Sequence, residues 1–454
     1  MQKNILLSLL LLVGTTLAHA QMPVIKASSS SVDIRDGDYL SKGNWTLMPD
    51  LKPDPYETTV EKSKTVTFYT DIDSISFKVK PNKTYDFVIL LNGKDSCWTR
   101  IVANQYTPPA VFSKKYIKAN KGKFAFDVPE VQELVHIIMA ITPKGIEDHN
   151  MVNHNGAYYE KVIEHFGEFK NEAIVASVNE LLENGLYARL KMDACGFLFE
   201  KDKIAKKTEY NRMNWGNSNY MEPLLANLEA FAKKTNFRTF FKENTPYYQQ
   251  LISLLAKQTP IQPQWDWLEK NFPNRYDHYY ITFSPLVYGS HSTNRFESNG
   301  FKQTAMFIAG PSENSKHNEA VLEGLITRMV FTEIDHNYVN PVSDQYLDEI
   351  NVAFANRKNW VNDDTFARSY GNPYSVFNEY MTWAVFSIYA KERFKPEDFK
   401  VINKRVEKQM DEWRGFTNFI AFNQEVLRLY DNKAKDESIA DLYPKVLEWC
   451  KEQL

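Results

Sequence analysis

The chain has 454 residues, enough for two or three domains that each bury a core of their own. Its 54 basic and 57 acidic residues leave a net charge of −3, which gives no electrostatic footprint for nucleic acid or for an anionic membrane. The three cysteines (Cys97, Cys195 and Cys450) are odd in number, widely spaced and free of any Cys-x-x-Cys pair, which excludes a disulfide framework and a dithiol or zinc-knuckle motif.

In chain order, residues 1–20 read as a signal peptide. Lys3 supplies the positive start, Ile5 to Val13 form an apolar run too short to span a bilayer, and Ala18-His19-Ala20 is a small-x-small cleavage site. The protein is therefore expected to be exported, to the periplasm or the extracellular space. No later stretch is long and uncharged enough for a membrane helix, so no membrane insertion is expected. Residues 22–107 are expected to be a small antiparallel β-sandwich. Thr65–Tyr69, Ile75–Val79 and Tyr85–Ile89 alternate apolar and polar residues, and Pro81-Asn82-Lys83 and Asn92-Gly93-Lys94-Asp95 supply turns. Pro108-Pro109 closes this region.

From 110 to 454 the pattern turns helical. Helices are expected over Val128–Ile141, Tyr158–Phe169, Ile174–Leu182, Leu224–Phe241 and Trp265–Phe272, with short strands at Tyr279–Ser284 and Phe301–Ile308. Then comes a long helix at about 318–338, stopped by Asn340-Pro341, and another at about 375–390. The fold class expected is α+β, a sandwich followed by a mostly helical domain with a small sheet.

The long helix carries Thr332-Glu333-Ile334-Asp335-His336, one substitution from His-Glu-x-x-His. In that motif two histidines four apart share a helical face and ligate zinc, while the glutamate activates the metal-bound water. Glu333 therefore stands at the catalytic position and His336 at the second ligand, but the first ligand position holds the neutral hydroxyl of Thr332. A structural alternative is that Glu333 and His336, three apart, form a hydrogen-bonded pair within the helix.

The order of sheet, motif helix and later helix resembles the gluzincin branch of zinc metallopeptidases. Residues from about 128 onward are similar to a family of secreted bacterial proteins in which the motif runs His-Glu-x-x-His-x-x-x-Asn-Pro, here Thr332 to Pro341. The resemblance implies a zincin-like domain, Glu333 as general base, and His336 with Glu379 of Asn378-Glu379-Tyr380 as metal ligands. The implied cofactor is zinc, weakened by the degenerate ligand position Thr332. Glu333, His336 and Glu379 also make a one-histidine, two-carboxylate set on the Glu-x-x-His spacing of helix-bundle metal sites. Asp335 is a fourth candidate, about 100° away per helical step. Ligation of one ion requires the His336 and Glu379 donors to lie roughly 3–4 Å apart.

His291, Arg368 and Tyr370 are further candidate cleft residues, the last two placed to steady an oxyanion. Asp148, His149 and His154 form a loose metal-like cluster on a loop. No serine-hydrolase elbow or phosphate loop is present. Two functions stay open: a metallopeptidase-like hydrolase whose peptide-bond cleavage is weak or lost, and a non-catalytic protein using the former cleft to bind peptide, glycan or a partner protein.

Overall fold

Along Asp95–Gln105 the residues Cys97, Thr99, Ile101 and Ala103 are buried and alternate with more exposed ones, the period-two pattern of a strand with one face in a core. The computed structural model describes residues 22–50, 52–313 and 315–453, so the expected signal peptide lies outside the described residues. The chain divides at Thr107 and Pro108 into two compact units.

The first unit holds β1 (Val24–Ala27), β2 (Ser31–Asp36), β3 (Tyr39–Thr46), β4 (Asp54–Val60), β5 (Lys64–Tyr69), β6 (Ser74–Val79), β7 (Lys83–Leu91) and β8 (Asp95–Gln105). One sheet runs β3-β2-β5-β6, every neighbour antiparallel. The other runs β1-β7-β8-β4, with an antiparallel centre and with β1 and β4 joined in parallel at its edges. Their inner faces share one core, in which the Phe68 ring of β5 meets the Phe87 ring of β7 edge-on at 4.9 Å.

The second unit is mostly helical. Its strands are β9 (Lys123–Asp127), the hairpin of β10 (Phe197–Glu200) and β11 (Lys203–Lys206), then β12 (His278–Ser284), β13 (Ser292–Ser298) and β14 (Phe301–Ala309). The main sheet runs β13-β14-β12-β9, parallel except for β13, which lies antiparallel along the edge. The sequence reading found β12 and β14 and missed the other two. The helix expected over Leu224–Phe241 is two helices, Leu225–Lys234 and Phe237–Gln258. They are separated at Asn236, which takes the left-handed φ of 54° that asparagine tolerates better than most residues.

Two helices position the candidate site. The motif helix spans Glu319–Ser343, and the Asn318 side chain caps it by accepting the Val321 N–H at 2.8 Å. It does not stop at Asn340-Pro341 as expected. Proline at 341 removes the donor for the Asn337 carbonyl, but the Tyr276 hydroxyl (2.8 Å) and the Asn274 amide (3.3 Å) donate to that oxygen instead, so the helix runs on. The second helix, Pro373–Arg393, starts with Pro373 in its first turn and Asn372 accepting the Ser375 N–H at 2.8 Å. From Val376 to Ala390 every residue is buried, so it is a core helix on all sides. All three cysteines are buried and unpaired. Among the described residues no helix is long and apolar enough to cross a membrane.

Candidate functional site

The motif helix and the core helix bring His336 and Glu379 together: Nε2 of the imidazole lies 3.3 Å from one carboxylate oxygen. The other ring nitrogen, Nδ1, faces the Asn340 side-chain oxygen at 3.2 Å. Glu333, His336 and Glu379 line one cleft of about 450 Å³ together with His291, Asn337 and Tyr370. The convergence expected of the two helices is present.

What the sequence reading missed is Arg414. Its guanidinium donates to the second Glu379 oxygen at 2.8 Å and to the Tyr370 hydroxyl at 2.7 Å. Four rings surround it, those of Phe366, Tyr370, Trp383 and Phe416, each 4.9–5.7 Å from the guanidinium carbon. A π-helical turn, Gln409–Arg414, delivers this side chain, and Gly415 ends it at a φ of +82° with Thr365 packed where a Cβ would go. Glu379 is thus a buried carboxylate between two basic groups. Burial alone would raise its pKa; Arg414 and His336 overcome that and hold it at about 2. For His336 burial opposes the charge, yet the Glu379 hydrogen bond and the Glu379 and Glu333 charges leave its pKa above the usual imidazole value.

The residues present do not fit a zinc ion. Thr332 is buried and does not line the cleft; its hydroxyl donates to the Arg328 carbonyl one turn back, at 2.9 Å. The Arg328 guanidinium lies over the same Trp383 ring as Arg414, 4.6 Å from its centroid. Burial and the Arg414 charge depress the Arg328 pKa to about 10. A dication at Glu379 would therefore meet the Arg414 guanidinium already bound to that carboxylate, with no histidine at position 332 to hold it as in His-Glu-x-x-His. Among the described residues no group of three or more His, Cys, Asp or Glu side chains is arranged to hold a metal.

Glu333 lines the cleft, and burial raises its pKa. Lys191, also missed, is fully buried near it: Nζ donates to the carbonyls of Ser290 (2.6 Å) and Phe307 (3.3 Å), and burial lowers its pKa to about 7. His291 lines the cleft as expected of a cleft residue, with burial first and the Lys191 charge second lowering its pKa to about 3. Its Nε2 is buried without a hydrogen-bond partner. Asp335 faces away from the cleft into the core. It is fully buried, and burial pushes its pKa well above the ordinary carboxyl value.

Strand β13 supplies the cleft wall through Ser292, Thr293, Asn294 and Arg295. Trp215, 54% exposed, closes over it, its indole N–H donating to the Thr293 carbonyl at 2.7 Å. The Asn294 side chain takes the Arg295 N–H at 2.9 Å. Arg368 does not line the cleft: it lies exposed on the short turn Phe366–Ser369, whose neighbour Ala367 takes the inward position. His149 and His154 face each other through their Nδ1 atoms at 2.7 Å, and His154 Nε2 is bonded to the Gly145 carbonyl at 3.0 Å, so the loop cluster is a local hydrogen-bonded pair. The chain matches no family model, no curated protein and no solved structure.

Proposed function

We propose that this chain is an exported, peptidase-like protein that no longer cuts peptide bonds and instead uses the cleft around His336 to hold a peptide segment of a partner. The observation that carries the reading is Arg414: a guanidinium caged by aromatic rings satisfies the Glu379 carboxylate that a zinc site would need. The mouth of the cleft supports a peptide ligand. Trp215, Arg295 and Tyr370 belong to the residue types that dominate binding hot spots. Two main-chain groups of β13 that an extended substrate would pair with, the Thr293 carbonyl and the Arg295 N–H, are already taken by side chains.

The competing reading, metal-assisted hydrolysis, has Glu333 in its favour, a carboxylate at the cleft whose pKa burial raises toward that of a general base. Metal analysis and a peptide library separate the two. Protein dialysed against zinc should retain well under one equivalent, should leave the library uncut, and should capture peptides in a way that Trp215→Ala weakens by about 2 kcal/mol. Retention of one zinc per chain, with cleavage that disappears in Glu333→Gln, would overturn the proposal.

A further inference from the structure

A second cavity of the helical unit lies apart from the one around His336. It has a volume of about 830 Å³, within the ~300–1,000 Å³ usual for ligand sites, and shares no lining residue with the His336 cleft. It opens where the parallel strands β12 and β14 end. Pro285, Val287 and Tyr288 follow β12, while Ala309 ends β14 and Gly310, Pro311, Ser312 and Glu313 follow it. The space beyond the carboxyl ends of parallel strands is where ligands settle in α/β sheets, because the loops there diverge.

We infer that this cavity is a binding site for a neutral oligosaccharide of a few rings. Tyr288 is 54% exposed at its edge, and Tyr247 stands in its wall, stacked on Tyr158 at 5.6 Å. Flat rings of this kind offer an apolar face to the C–H side of a sugar. Asn153 and Asn155 supply amides, which both donate and accept, as sugar hydroxyls do. The charged lining among the described residues is one ammonium, Lys161, and one carboxylate, Glu313, so no net charge selects an ionic ligand.

These groups are held in place before any ligand arrives. Lys161 Nζ donates to the Asn244 side chain at 2.8 Å, the Tyr247 hydroxyl donates to Glu313 at 3.0 Å, and the Asn153 amide donates to the Pro285 carbonyl at 3.1 Å. Fixed polar groups spare a ligand the entropy of ordering them. Leu251 and Ile326 contribute the apolar part of the lining.

Titration calorimetry on the full chain with maltotriose, cellotriose, xylotriose and chitotriose, each to about 10 mM, tests the inference. At least one should bind, and Tyr288→Ala should weaken it by about tenfold. Asn155→Ala, another exposed position, should weaken it as well, and far-ultraviolet circular dichroism should show both variants folded. Failure of all four sugars to bind, or binding that neither substitution changes, would overturn the inference. So would Tyr288-dependent binding of tetra-alanine in place of every sugar, since that assigns the cavity to peptide.

Discussion

Glu379 is the residue on which the site turns, because its charge is buried and yet fully matched. Removing one partner of such a pair strands the other, so Arg414→Met should destabilise the second unit by about 3–5 kcal/mol, read by urea unfolding at pH 7. The same guanidinium explains why restoring the missing ligand is not enough. Thr332→His alone should gain no stoichiometric zinc by elemental analysis, whereas Thr332→His with Arg414→Met should. The pH signs follow from the direction of each shift. Glu379, lowered to about 2, stabilises the fold above its ordinary carboxylate value and loses that contribution as pH falls toward 2. His336, raised, stabilises below the ordinary imidazole value and loses its contribution as pH climbs past the raised one. The stability lost in Glu379→Gln should therefore be largest between about pH 4.5 and 6.5. Asp335 behaves oppositely: its pKa is raised, so the native protein weakens with rising pH above the unfolded carboxyl value. Asp335→Asn should flatten that slope and raise the melting temperature more at pH 8 than at pH 5. Glu333, His336 and Glu379 were legible because helical spacing and a known motif mark them. Arg414 was not: Asp411-Glu412-Trp413-Arg414-Gly415 reads as a polar helix end, and only a π-turn rotates the arginine inward.

At the scale of elements, two features of the second unit show where pattern reading stops. Proline at 341 looked like a helix terminator, a penalty of about 3 kcal/mol within a helix. The helix survives because a hydroxyl and an amide from the segment before β12 serve the orphaned Asn337 carbonyl, a tertiary contact that no local pattern announces. Tyr276→Phe should accordingly cost about 1 kcal/mol in unfolding free energy, with Asn274 retaining part of the bond. Strand β13 was invisible for a different reason. Ser292-Thr293-Asn294-Arg295-Phe296-Glu297-Ser298 has one fully buried apolar side chain, Phe296, so it has no alternation to detect. An edge strand can be polar because one flank lacks a neighbouring strand, and here that flank borders the cleft. The strands β5, β6 and β7 of the first unit were read for the converse reason, since both of its sheets press one face into a shared core, whereas β1 to β4 and β8 were not named.

At the scale of the whole molecule, the boundary near Pro108 was legible because strand alternation gives way to helical periodicity there, and the contacts divide at the same place. Each unit has a hydrophobic core of its own, so calorimetry of the intact chain should resolve two unfolding transitions rather than one. The distribution of sulfur supplies a way to watch them apart. Cys97 sits in the sandwich core, while Cys195 and Cys450 sit in the helical unit, all without solvent access and with burial raising each thiol's pKa. An alkylating reagent can therefore reach a thiolate only after its own unit opens. Peptide mapping of labelled protein along a urea gradient would then time two separate openings within one polypeptide, with nature having already installed the reporters.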